Sequence, residues 1–136
     1  MSGVVGIKTK VGKTQKLFYS LSSIQHRGQD ASGIILSTGE NLRRIRGLGL
    51  VNEIFADENL KDSEGEYGLG HVRSAPEGCN QDYNIEPLVS FAKGNEFSLA
   101  HDGNLVNYKT LKKKEEEMGM AFHTYTDSEL ILLLIT

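Results

Sequence analysis

Ser2 stands at the tip of MSGVVGI, just ahead of a β-branched run, residues 3–8, that reads as a strand. Chain termini usually fray, so a strand this early places the Ser2 hydroxyl at an ordered tip. A hydroxyl there could attack a carbonyl if a base activated it. The other chemical signals are weaker. Gly12, Lys13 and Thr14 match the end of a phosphate-binding loop, but Ile7 stands where that loop needs its first glycine. His26, His71, His101, His123 and Cys79 have no short metal-type spacing, so neither a metal nor a cofactor is expected. Cys79 has no activating neighbour in sequence. Arg73, in GHVR, reads by itself as a surface strand residue, and Asp127, in TDSE, as a carboxylate favoured at a helix N-terminus. His26 and Arg27 precede Gly28 and would complement the negative end of a helix.

These residues need elements to hold them. Leu17, Phe18, Leu21 and Ile24 recur at helical spacing, which predicts a helix from Lys13 to Gln25 that Gly28 ends. Residues 31–37 and 41–48 flank a Gly-Glu turn and predict a hairpin. A short helical stretch over 50–60, a polar loop KDSEGE and a strand YGLGHVRS follow, then a surface loop from Pro76 to Pro87. A second hairpin pairs 88–92 with 96–101 across a Gly-Asn turn and runs into HDGN. A helix is expected from Tyr108 to Met118, with KKKEEE as a solvated face pairing lysine before glutamate. The last helix opens with TDSE, a capping box in which Thr126 caps and Glu129 reaches back. Its LILLLI run is apolar all round and demands cover, so one domain over 1–136, incomplete at its C-terminus, is expected.

Composition narrows the function classes. The 136 residues are 38% hydrophobic and 24% charged, enough for one core and unlike a disordered tail. The net charge of −3, with scattered Lys and Arg, gives no basic stripe for nucleic acid. No apolar run approaches the roughly 20 residues that span a bilayer. A single cysteine forms no internal disulfide, which agrees with a reducing, cytoplasmic compartment.

HRGQDASGI, GLGLVNEIF, GHVR, HDGNLVN and TDSELI, behind the opening MxGVVGI, occur in one order across nearly the whole chain. Together they resemble the glutaminase domain of class II glutamine amidotransferases, nearest its amidophosphoribosyltransferase branch. The resemblance implies an α+β fold, the four-layer αββα sandwich of N-terminal nucleophile hydrolases, and L-glutamine as ligand. It implies that the residue after Met1 is a nucleophile whose own α-amine acts as base. By the family's pattern Arg73 holds the glutamine carboxylate and Asp127 its ammonium. The backbone N–H of Gly103 and the side chain of residue 102 serve the oxyanion, and Arg27 lies near the nucleophile.

Three departures fall on that chemistry. Ser2 replaces the family's cysteine, Asp102 replaces an asparagine, and Ser74-Ala75-Pro76 replaces a tyrosine, serine and threonine that shape the pocket. Loss of one oxyanion donor typically costs about 2.7–4 kcal/mol of transition-state stabilisation. The family's domain also continues further and is followed by a phosphoribosyltransferase domain, which these residues do not contain. A truncated, catalytically impaired glutaminase domain that still binds glutamine is therefore expected. The alternatives are an amidohydrolase using Ser2, and a non-catalytic module that senses glutamine. Such a module could also pair through LILLLI with itself or with a related full-length subunit.

Overall fold

The computed structural model describes residues 1–56, 66–75 and 81–136. Cys79, Pro76 and most of KDSEGE lie outside them. Strands β1 (Gly3–Lys8), β2 (Ala31–Ser37), β3 (Leu42–Leu48) and β4 (Tyr67–Arg73) form one antiparallel sheet in the order β1-β4-β2-β3. β5 (Leu88–Ala92) and β6 (Asn95–Leu99) form a separate hairpin. Helix α1 (Lys13–Ser23) packs on β1 and β4, and α4 (Asp127–Ile135) on β5 and β6. α2 (Val51–Ile54) follows β3, and α3 (Tyr108–Glu117) precedes α4. The order α1, large sheet, hairpin, α4 is the α+β, αββα arrangement expected from the sequence.

Alternation along the strands decides what each face does. Ile34 and Leu36 of β2 and Val72 of β4 turn toward α1 and close a core with its Leu17 and Leu21. Each fully buried leucine contributes about 1.5–3 kcal/mol. The leucines can seat only because YGLGHVR is bare at two positions. A Cβ on Gly70 would lie 2.7 Å from a Leu21 methyl, and one on Gly68 3.2 Å from a Leu17 methyl. The opposite face carries Val4, Gly33, Arg46 and His71, which are register partners across the four strands. Gly33 admits the segment before β5, since a Cβ there would stand 2.1 Å from the Glu86 carbonyl oxygen. Arg46 Nη1 donates to the Ile85 carbonyl at 2.8 Å and fixes that segment laterally.

Several boundaries differ from the sequence reading. α1 stops at Ser23, and a separate 3-10 turn spans Gln25–Arg27. Gly28 is extended, with φ −164, and so is no left-handed helix cap. It is bare because a Cβ would meet the Arg73 carbonyl carbon at 2.5 Å. The second hairpin turns at Lys93-Gly94, with φ 51 and 79, and Asn95 already belongs to β6. Two consecutive positive φ values suit the right-handed twist of a tight hairpin. α3 ends at Glu117, with weak i, i+4 pairs from Lys112 to Glu116 and Lys113 to Glu117. At α4, Thr126 Oγ1 accepts from the Glu129 N–H at 3.4 Å, but the box does not close. The Glu129 carboxylate instead accepts from the backbone N–H groups of His123 and Thr124, pinning the entry to the helix. Leu130 and Leu132 are buried while Leu134 and Ile135 are exposed, so only the end of LILLLI faces outward.

Replacing Gly33 with alanine must move the Glu86 segment, and we expect destabilisation of about 1–3 kcal/mol. Gly6→Ala, where a Cβ meets nothing within 4 Å, should leave stability unchanged or slightly raised. Urea denaturation of the two variants measures the contrast.

Candidate active site

Ser2 lies two positions ahead of Val4 and so belongs to the same face as His71 and Arg73. Strand β1 thus delivers the second residue of the chain to the end of the sheet where β4 delivers Arg73. Both line a cleft of about 620 Å³, together with Asp102, Gly103 and Asp127. Five of the six expected site residues therefore share one cavity. The sixth, Arg27, reaches from the 3-10 turn to two of them.

The grip on Ser2 is mostly through its backbone. Its N–H donates to Asp102 Oδ1 at 2.9 Å, and its carbonyl oxygen accepts from Arg27 Nε at 2.8 Å. Arg27 Nη2 closes the ring on Asp102 Oδ2 at 3.1 Å. The hydroxyl accepts only a longer bond, 3.3 Å, from the Ser74 N–H. The Ser2 N–H and the Arg27 guanidinium hold the Asp102 carboxyl below its usual range, so it is ionised at neutral pH. His26, the neighbour of Arg27 in the turn, is exposed.

Arg73 and Asp127 each have one edge engaged with the backbone. Arg73 Nη1 donates to the Asn84 carbonyl at 3.0 Å, and Asp127 Oδ2 accepts from the Leu105 N–H at 2.7 Å. Asp127 Oδ1 is 3.8 Å from His101 Nδ1. Gly103 is pressed under the His101 ring, where a Cβ would sit 2.5 Å from Nε2. Tyr108 and Tyr125 also line the cleft, and behind them Lys112 Nζ lies 5.7 Å from the ring of Tyr108, 5.0 Å from Phe122 and 5.5 Å from Tyr125. A cation shared among three rings stiffens that wall.

Residues that sequence reasoning passed over turn out to organise the cleft. Glu86 is buried, and its carboxylate accepts from the His101 N–H at 2.6 Å and the Ser128 hydroxyl at 2.5 Å. It thereby ties HDGN to TDSE. Asp30 accepts from the Ala75 N–H and donates its own N–H to the Arg73 carbonyl. Gln25 bridges Gly28 to the start of α2. HRGQD therefore clamps the exit of β4, and the only signal for it was the motif itself. His71 is 1% exposed, and neither ring nitrogen has a hydrogen-bond partner. Burial, with Arg73 close by, pushes its pKa down to about 4, whereas burial pushes Glu86 up. Among the described residues no group of histidine, cysteine and acidic side chains is arranged to hold a metal, and no helix is long and apolar enough to cross a membrane.

Residues 71–136 match the glutamine amidotransferase domain family. The chain is 40% identical over 133 residues to amidophosphoribosyltransferase 3, chloroplastic, of Arabidopsis thaliana, covering 98% of this chain and 25% of that protein. It is also 40% identical to the amidophosphoribosyltransferase of Bacillus subtilis, covering 98% of this chain and 28% of that one. The fold superposes with a TM-score of 0.91 and 38% identity on the allosteric regulatory enzyme of purine biosynthesis, over 99% of this chain and 29% of that structure.

The chain belongs to the glutamine amidotransferase domain family.

It spans about a quarter of the length of the curated relatives it matches. A second solved relative, glutamine phosphoribosylpyrophosphate amidotransferase from B. subtilis complexed with ADP and GMP, gives a TM-score of 0.86 at 37% identity, over 97% of this chain and 28% of that one. The amidotransferase domain thus has its cleft at the converging ends of β1 and β4, walled by the HDGN and TDSE segments.

Two buried groups give this domain a pH signature. His71 is neutral when folded, so the stability it preserves is complete above pH 6.5 and lost as pH falls toward about 4. The full loss from this group is about 3 kcal/mol. Glu86 acts with the opposite sign, because its raised pKa lets the folded state gain stability as pH falls through it. Urea denaturation between pH 4 and 7.5 should show His71→Gln flattening the acid loss and Glu86→Gln steepening it.

Proposed function

We propose that residues 1–136 form a glutaminase-type domain that binds L-glutamine in this cleft but hydrolyses it poorly or not at all. Glutamine carries a carboxylate and an ammonium on one carbon and so asks for a fixed cation and a fixed anion. Arg73 supplies the first, with guanidinium geometry suited to a bidentate pair, and Asp127 the second. Hydrolysis would further need a nucleophile at residue 2, a base beside it, and donors for the oxyanion from Gly103 and residue 102.

The observation that carries the proposed impairment is the Asp102 carboxylate, 2.9 Å from the Ser2 nitrogen and paired with Arg27. A carboxylate cannot donate to an oxyanion, and its charge opposes the one that develops there. It harms the base as well. If Met1 is removed, the α-amine of Ser2 becomes an ammonium beside an ionised carboxylate, which favours the protonated form and removes the lone pair that hydrolysis needs. Ser2 compounds this, since a hydroxyl is a weak nucleophile without an active base.

The relatives named amidophosphoribosyltransferase support reading the cleft as a glutamine site of that enzyme kind, here with its ammonia-releasing step impaired. Further chain, or a related full-length subunit, would provide the phosphoribosyl chemistry. The exposed Leu134 and Ile135 at the end of α4 are an apolar point for such an association or for a homo-oligomer.

Calorimetry should detect glutamine binding that falls at least tenfold in Arg73→Ala and in Asp127→Ala, while the unaltered protein releases no ammonia above background. Ser2→Cys with Asp102→Asn should gain ammonia release once mass spectrometry shows Met1 removed. Sustained ammonia release by the unaltered protein would sink the impairment and favour an amidohydrolase using Ser2. Absence of glutamine binding would sink the whole reading.

A further inference from the structure

Among the described residues, three buried side-chain nitrogens have no hydrogen-bond partner: Nδ1 and Nε2 of His71 and Nε of Arg73. They belong to one face of β4, and both residues line the cleft. A buried polar atom left bare costs about 1–3 kcal/mol, so three on one wall mark a surface prepared for a polar ligand. Their chemistry is complementary to an anion. Arg73 offers N–H donors, and the His71 ring offers one N–H when neutral and two when protonated.

The charges around His71 come from every side of it. Arg73 stands on the same strand, while Glu86 lies on the segment before β5, with Oε2 3.9 Å from His71 Nε2. That distance is too long for a hydrogen bond. His101 and Asp102 follow β6 and act on the ring at longer range. The facing positions on β1 and β2, Val4 and Gly33, carry no charge. Burial is the first obstacle to protonation of His71 and the Arg73 cation the second; an anion placed against Arg73 would offset the second and leave Glu86 as the nearby counter-ion.

We propose that His71 is a second contact for the carboxylate of the amino acid held by Arg73, donating a ring N–H to it and taking up a solvent proton on binding. This rests on the glutamine reading above. Arg73 and His71 then form a two-residue carboxylate clamp on one strand face, and ligand binding becomes tighter as pH falls toward the upper edge of the histidine range.

Calorimetry of the protein with L-glutamine at pH 6, in two buffers of different ionisation enthalpy, reads affinity and proton uptake together. The unaltered protein should take up protons on binding. His71→Phe should bind about tenfold or more weakly and take up none. His71→Gln keeps a donor but cannot titrate, so it should bind within a few-fold and also take up none, which covers the case in which the phenylalanine variant does not fold. L-glutaminol, which lacks the carboxylate, should be insensitive to both changes. Equal affinity and equal proton uptake in the variants and the unaltered protein would overturn the clamp while leaving the glutamine reading in place. No glutamine binding by any form, the unaltered one included, would overturn both.

Discussion

One buried carboxylate joins the parts of this chain that carry the cleft. Glu86 is held against β2 at Gly33, and it accepts hydrogen bonds from the backbone ahead of Asp102 and from the side chain after Asp127. A carboxylate removed from water is costly unless its lone pairs are filled, and here both oxygens are engaged. The requirement works in both directions. Glu86 needs the HDGN and TDSE segments in place to be satisfied, and those segments need Glu86 to be fixed. The bare Gly33 is the geometric condition for all of it, because any side chain there would displace the segment that brings Glu86 in.

A second compensated charge sits at the mouth. Asp102 is paired with Arg27 and accepts from the N–H of Ser2, so no unpaired acid stands at the mouth. The Asp102 carboxylate is an acceptor whose two oxygens are both already occupied. Ser2, Arg27 and Asp102 thus form a closed triangle in which each group meets a partner of opposite polarity.

The sequence made the architecture legible wherever periodicity and turn chemistry act locally. The β1 and β4 runs, the leucines of α1 and the Thr126 cap are such cases. It was less legible where backbone meets backbone across long separations. Gly28 has the position of a helix terminator, yet it is bare because Arg73 passes over it, a fact that lies 45 residues away in the chain. Glu129 has the spacing of a capping box, but His123 and Thr124 curl back and take its oxygens first. In the cleft, the residues singled out by family resemblance converge, whereas Glu86 and His71 gave no local sign. A buried acid and a buried histidine are recognisable only once the surroundings that bury them are known.

The backbone of Ser2 is held at both ends, nitrogen by Asp102 and carbonyl by Arg27, while its side chain receives only one long bond from Ser74. Position and reactivity at residue 2 are therefore specified by different atoms. A thiol could replace the hydroxyl there without relocating the chain, since the two short bonds of the grip are made by the backbone. Fixing the place of residue 2 and choosing its chemistry are thus separate tasks for the chain.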